Sequence, residues 1–236
     1  MKPVLKWAAL ALAGAASLLG NSASATTVTV YQQNAGNVFN GNGSAGVRIY
    51  DDLLSPGGLG VQAGGFAVKA DLNGNPGLES FTAWCLDIVT YLSLPKAYTV
   101  TATPFTSHPL TATQKANINK LYDTAFATLN LANNAQSAGF QLALWEIAFE
   151  DTKTLDLSSG DFNASNVAAR SVGQSFLDGL NGPVTQRYKL TFLESTPHLS
   201  QNLVTASPVP LPPAALLLFS GLGGLGVLGR RRKKAE

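Results

Sequence analysis

The sequence is short of charge, of sulfur and of histidine. Only 13% of its 236 residues are Asp, Glu, Lys or Arg, about half the ~25% of an average globular chain. The net charge of +2 hides an uneven distribution. Five of the 16 basic residues, Arg230 to Lys234, crowd the last seven positions, and Lys2 and Lys6 stand at the other end. Positions 26–208 carry nine basic residues against 13 acids, a net of −4. A chain whose middle is acidic has no basic face for a phosphate backbone, which excludes nucleic acid as a partner. One cysteine, Cys85, cannot make an internal disulfide. The two histidines, His108 and His198, each lie beside a proline and share no metal-ligand spacing with each other or with Cys85. There is no Gly-rich phosphate loop, Gly-x-Ser-x-Gly elbow or HExxH pair, so no metal and no cofactor is expected.

What is present first marks the two ends. Residues 1–25 read as a secretory signal peptide. Lys2 and Lys6 make a positive start, Trp7 to Leu19 an apolar run, and Ala23-Ser24-Ala25 a small-residue site for signal peptidase before Thr26. Residues 207–236 have three parts with different physics. Val209-Pro210-Leu211-Pro212-Pro213 is too rich in proline for a helix and lies extended, open to a protease. Ala214 to Gly229 is uncharged and, with its flanks, predicts a transmembrane helix. Arg230 to Lys234 stays on the cytoplasmic side. This order of motif, span and basic run resembles the PEP-CTERM family of bacterial sorting signals, in the variant whose motif reads VPLPA; one additional Pro stands here. The resemblance implies an exosortase-like transpeptidase that cuts near the motif. It also implies a route from an inner-membrane tether to the surface or matrix of a Gram-negative bacterium that makes exopolysaccharide.

Residues 26–206 have the length of one domain. Alternation in Thr26–Gln33, with Val28 and Val30 against Thr27 and Thr29, predicts a strand. Further strands are expected at 45–53, 65–72, 78–88, 98–105, 188–194 and 201–206. A helical block interrupts them. Thr113 is the expected cap of a helix whose face is Ile118, Leu121, Tyr122, Ala125 and Leu129. Ser137–Glu150 carries an apolar stripe so broad that its helix must be buried on more than one side. Ser165 is the expected cap of a third helix through Leu180. Strands, then helices, then strands give an α+β fold: an antiparallel β-sandwich or barrel-like domain with a helical insertion.

Cys85 stands in the apolar run Phe81-Thr82-Ala83-Trp84-Cys85-Leu86-Asp87, where a buried cysteine acting as a small hydrophobe accounts for it. A second reading competes. Trp84-Cys85-Leu86 resembles the aromatic-Cys-apolar motif of bacterial surface thioester domains. Phe140-Gln141-Leu142-Ala143-Leu144-Trp145 resembles their Thr-Gln-x-Ala-apolar-Trp helix motif, with Phe140 where Thr is usual. Gln201-Asn202-Leu203-Val204 is similar to their late apolar-Gln-x-x-apolar strand motif, with Ser200 in place of the leading apolar residue. The resemblance implies that Cys85 supplies the sulfur and Gln201 the acyl group of an internal thioester. Gln141 is then a supporting residue and the fallback acyl donor, and Trp84 and Trp145 shield the bond from water. Trp145 is equally well explained as core.

Two other patterns carry less. Asp71-Leu72-Asn73-Gly74-Asn75-Pro76-Gly77-Leu78-Glu79 echoes a calcium loop, but Pro76 stands where Gly is needed, and a hairpin loop explains the same residues. Glu146, Glu150 and Asp151 offer a carboxylate pair that any solvated acidic face would also show. The expected protein is therefore exported, does not turn over substrate, and has a structural or adhesive role among extracellular polysaccharide or surface proteins. A covalent thioester adhesin and a secreted hydrolase are the alternatives.

Overall fold

The computed structural model describes residues 26–72, 77–101, 105, 109–150, 154–182, 185–195, 197 and 199–209. The signal peptide, the sorting signal from Pro210 onward, His108, His198, Asp151 and the centre of the calcium-like loop lie outside the described residues. No described helix is long and apolar enough to cross a membrane.

Among the described residues, nine strands and three α-helices follow in order. They are β1 (Thr26–Gln32), β2 (Ser44–Asp51), β3 (Ser55–Gly64), β4 (Phe66–Ala70), β5 (Glu79–Cys85) and β6 (Lys96–Thr101). Then come α1 (Ala112–Ala125), α2 (Asn134–Phe149), β7 (Phe162–Ala164), α3 (Val167–Asp178), β8 (Tyr188–Glu194) and β9 (Leu203–Pro208). Six strands close an antiparallel barrel in the order β1-β4-β5-β9-β8-β6, which decides between the sandwich and the barrel. A second sheet has the order β3-β2-β7. The fold is α+β, as the strand–helix–strand order predicts.

The central helix α2 sets the architecture. Every residue from Ser137 to Phe149 is buried, because α2 packs against α1, α3, the second sheet and β5 at once. Its closest neighbour is α3, and glycine makes that approach possible. A Cβ on Gly139 would lie 2.8 Å from the carbonyl oxygen of Ala169, and one on Gly173 would lie 2.8 Å from that of Gly139. The aromatic side of the core gathers at Phe140, whose ring meets Trp84 at 4.6 Å and Tyr122 at 5.2 Å between centroids.

The caps differ from expectation. Thr111, not Thr113, starts α1: its hydroxyl accepts from the Gln114 N–H while the Gln114 carboxamide accepts from the Thr111 N–H. That reciprocal pair satisfies two end groups at once. Asn166, not Ser165, caps α3 by accepting from the Ala169 N–H at 3.1 Å. Ser165 instead pairs with Arg48 through backbone and hydroxyl, which ties the loop after β7 to β2. Strands β3 and β7 were not expected. β9 runs two residues past the expected boundary at 206, and the Val209 N–H still donates to the Arg187 carbonyl at 2.8 Å.

Candidate functional site

β5 and β9 lie side by side, with Trp84 opposite Val204 and Cys85 opposite Leu203. The Leu86 N–H donates to the Asn202 carbonyl at 2.9 Å and continues this ladder. Gln201 therefore stands two residues from the cross-strand partner of Cys85. It lies just ahead of β9, which begins at Leu203.

Gln141 reaches this ladder from α2. Its Oε1 accepts from the Cys85 N–H at 2.9 Å, and its Nε2 donates to the Cys85 carbonyl at 2.7 Å. The carboxamide thus imitates a neighbouring strand and grips both peptide groups of one residue. This occupancy favours a holding role over that of acyl donor. Trp145, one turn further along α2, donates its indole N–H to the Asp87 carbonyl at 3.1 Å. The same carbonyl accepts from the Cys85 thiol, and the Asp87 N–H donates back to Sγ at 3.2 Å.

Cys85 is 1% exposed. Burial pushes its thiol well above the ordinary value, and the Asp87 carboxylate pushes it the same way; the Asp87 backbone and Trp145 pull it back only in part. At neutral pH the sulfur therefore keeps its proton. Trp84 is fully buried, but adjacent strand residues point to opposite faces, so its ring stacks near Phe140 in the core instead of over Cys85. Of the two expected shielding residues, only Trp145 makes a contact beside the sulfur.

A buried polar lattice fixes the chain around Gln201. The Tyr98 hydroxyl donates to the Gln201 carbonyl at 3.0 Å and shares a hydrogen bond with Ser200 Oγ at 2.9 Å. The Ser200 N–H donates to Ser195 Oγ, the Ser195 N–H to Asn202 Oδ1, and the Asn202 N–H to the Asp87 carboxylate. Burial raises Tyr98 to about 12, so this donor stays protonated. Ser200, the departure from the strand motif, is the hub of that lattice. The side-chain Oε1 of Gln201 is left out of it: the atom is buried and accepts no hydrogen bond. Asp87, Tyr98 and Asn202 were not singled out from the sequence. Asp87 and Asn202 adjoin the two motifs, and their pairing becomes visible only when β5 and β9 are brought together.

Gln141, Trp145 and Gln201 line a cleft of about 310 Å³ together with residues that include Phe39, Gln62 and Tyr91. Among the described residues no group of three or more His, Cys, Asp or Glu is placed to hold a metal ion. The carboxylates at the C-terminal end of α2, Glu146 within it and Glu150 at its cap, face elsewhere. Glu146 accepts from the Asp156 N–H and Glu150 from the Asp161 N–H, so both serve the loop before β7.

No family model and no curated protein sequence matches the chain. Among solved structures, the N-terminal domain of the Streptococcus pyogenes pilus tip adhesin Cpa aligns at 14% identity and a TM-score of 0.40. That alignment covers 76% of this chain and 99% of the other. The N-terminal thioester domain of a surface protein from Clostridium perfringens aligns at 14% identity and a TM-score of 0.39, covering 78% of this chain and 100% of the other. At that distance the chemistry has to be argued from the residues themselves.

Proposed function

We propose that this is an exported surface protein that fastens itself covalently to a partner through an internal thioester between Cys85 and Gln201. One observation carries the reading: Gln141 clamps both peptide groups of Cys85 while Gln201, just ahead of the adjoining strand β9, keeps a buried side-chain oxygen without a hydrogen-bond partner. A buried acceptor without a donor costs about 1–3 kcal/mol, a cost that calls for an explanation, and a reaction at the Gln201 carbonyl supplies one.

The chemistry balances within the chain. Cys85 Sγ adds to the Gln201 carbonyl carbon, the C–N bond breaks, and ammonia leaves with the thiol proton. The product is neutral, which suits a site that resists a charged sulfur. A nucleophile on a partner then adds to the carbonyl, the C–S bond breaks, and sulfur takes the nucleophile's proton. A sulfur that resists ionisation is also a reluctant leaving group, which slows premature loss to water. Each molecule acts once, so this is attachment and not turnover.

The ends fit the same role. The resemblance at 209–213 assigns the tail to an exosortase-like transpeptidase and the protein to a polysaccharide-rich surface. The last β9 residue, Pro208, directly precedes that motif.

Intact mass of the full chain purified from an exporting host tests the reading. The expected mass is one ammonia below that of the processed sequence, with Cys85 inert to alkylation in the folded state. Methylamine then adds at Gln201, and Gln201→Ala abolishes the ammonia loss. A full-mass chain with an alkylatable Cys85 returns the protein to non-covalent adhesion, and methylamine on Gln141 reverses the roles of the two glutamines. Recovery of mature surface protein that still carries Arg230 to Lys234 would falsify the sorting route.

A further inference from the structure

One edge of the second sheet runs along the cleft. Among the described residues β3 pairs only with β2, so it stands at the edge of its sheet. Gly60, Val61 and Gln62, three consecutive β3 residues, line the cleft that Gln141, Trp145 and Gln201 also line. Side chains of a strand alternate between two faces, so a cleft lined by three residues in a row follows the backbone edge.

The bonds of β2 say which way that backbone points. Arg48 directs its N–H to Ser165 Oγ at 3.0 Å, and its carbonyl accepts from the Ser165 N–H at 2.9 Å, both on the β7 side of β2. The Gly46 carbonyl turns the same way, to Asn166 Nδ2 at 3.0 Å. Arg48 stands opposite Gly60, and Gly46 opposite Gln62. In an antiparallel ladder two opposed residues turn their polar groups either toward each other or both away. Gly60 and Gln62 therefore turn their N–H and carbonyl groups outward, along the free edge. Both residues are exposed, and a Cβ on Gly60 would meet nothing within 4 Å. Open strand edges are ordinarily defended by charge, proline or a covering segment. None of the ten β3 residues is charged, and Pro56 stands at the other end of the strand.

This edge presents donors and acceptors that repeat every second residue, about 7 Å apart, and another extended main chain matches them group for group. We infer that the partner is a protein offering an extended segment, and that this segment adds to the free edge of β3 as a further strand of the sheet. Main-chain bonds to Gly60 and Gln62 hold it, and the missing Cβ at Gly60 lets the two backbones approach. A nucleophilic side chain of the segment then meets the Gln201 carbonyl in the same cleft. It adds to that carbonyl, the C–S bond breaks, and its proton passes to the Cys85 sulfur.

The assignment rests on the thioester reading, and one experiment separates the two. The full chain is first checked for its ammonia loss. It is then offered, at equal concentration and pH, a blocked peptide of alternating threonine and valine with one central lysine, and N-acetyl-lysine amide. Two further forms of the peptide carry backbone N-methyl groups along one edge or along the other. A small soluble thioester, given the same amines, supplies the intrinsic scale. The expected result is an adduct at Gln201 that forms at least ~10-fold faster from the peptide than from the lysine amide once the intrinsic ratio is divided out, because pairing holds the amine beside its target. Methylation along one edge is expected to abolish that gain and methylation along the other to leave it, since only one edge of an added strand faces β3. Gly60→Pro removes one outward N–H and spares Leu59 and Val61, which turn toward β2, and the gain is expected to vanish. No gain, an equal loss from both methylations, or a glucosamine oligomer that outruns the peptide overturns the strand assignment and leaves the thioester standing. A dimer of the full chain in sedimentation that Gly60→Pro breaks gives the edge to a second copy and overturns it likewise. A chain with no ammonia loss overturns both.

Discussion

Gln141 and Glu146 stand on the same helix, five residues apart, and both are withdrawn from water, at 1% and 0% exposure. Their solutions to burial differ. Gln141 meets one residue, Cys85, and matches its donor and its acceptor with an acceptor and a donor. Glu146 meets the Asp156 N–H with one oxygen, and its Oε2 has no hydrogen-bond partner. Burial raises Glu146 to about 8, and the nearby Glu150, Asp156 and Asp161 carboxylates add to that. The amide gives a fixed geometry that pH does not touch. The carboxyl gives a contact whose strength depends on a proton. A reactive bond is better held by the first kind of group, and the loop before β7 tolerates the second.

The sharpest way to break this contrast is to remove the clamp. Gln141→Ala leaves the N–H and the carbonyl of Cys85 buried without partners, at about 1–3 kcal/mol each, and opens space beside them. The expected outcome is a loss of roughly 2–6 kcal/mol in denaturant unfolding, together with loss of the ammonia deficit in whatever fraction stays folded. A variant that keeps both its stability and its deficit removes Gln141 from the site.

Much of this was legible beforehand, for identifiable reasons. β1 announces itself because Val28 and Val30 alternate with threonines, and β8 was located to the residue. The broad stripe of α2 correctly implied a helix buried on several sides. β3 escaped because Pro56, Gly57, Gly58, Gly60 and Gly64 look like loop; only pairing along β2 makes a strand of them. β7, at three residues, is too short to have a period. Ser165 and Asn166 are both good caps, and only the competing partner at Arg48 decides between them. At the site, Cys85, Gln141 and Trp145 were readable from short motifs. The Asp87–Asn202 link and the Tyr98–Ser200 pair were not, because they join residues about a hundred positions apart. The direction of Trp84 required knowing which face of β5 meets α2.

The second test acts on the carboxyl. Relative to an ionised group, the protonated Glu146 contributes stability that is fully present below about 4.5 and is lost as pH rises to about 8. In that window the folded chain binds more protons than the unfolded one, so stability falls with rising pH, on the order of 1 kcal/mol per unit. Glu146→Gln keeps the acceptor for the Asp156 N–H and removes the titration. Unfolding curves collected from pH 4.5 to 8 are expected to slope for the parent and to flatten for the variant, which overtakes the parent near the top of the range. Parallel curves break the assignment of that slope to Glu146.

The smallest expected effect belongs to Trp145, which, like Gln141, touches the β5 segment at Cys85–Asp87 and lines the cleft. Trp145→Phe keeps an aromatic ring against the site but deletes the indole N–H that donates to the Asp87 carbonyl. One lost hydrogen bond is worth about 1 kcal/mol, so the melting temperature is expected to move by a few degrees. If the ring's part is to exclude water, the variant still shows the full ammonia deficit and hydrolyses only a few-fold faster over days in buffer. If the N–H does more than brace the strand, the deficit itself is incomplete. Mass spectra of fresh and aged protein distinguish the two, because the first changes a rate of loss and the second changes the starting yield.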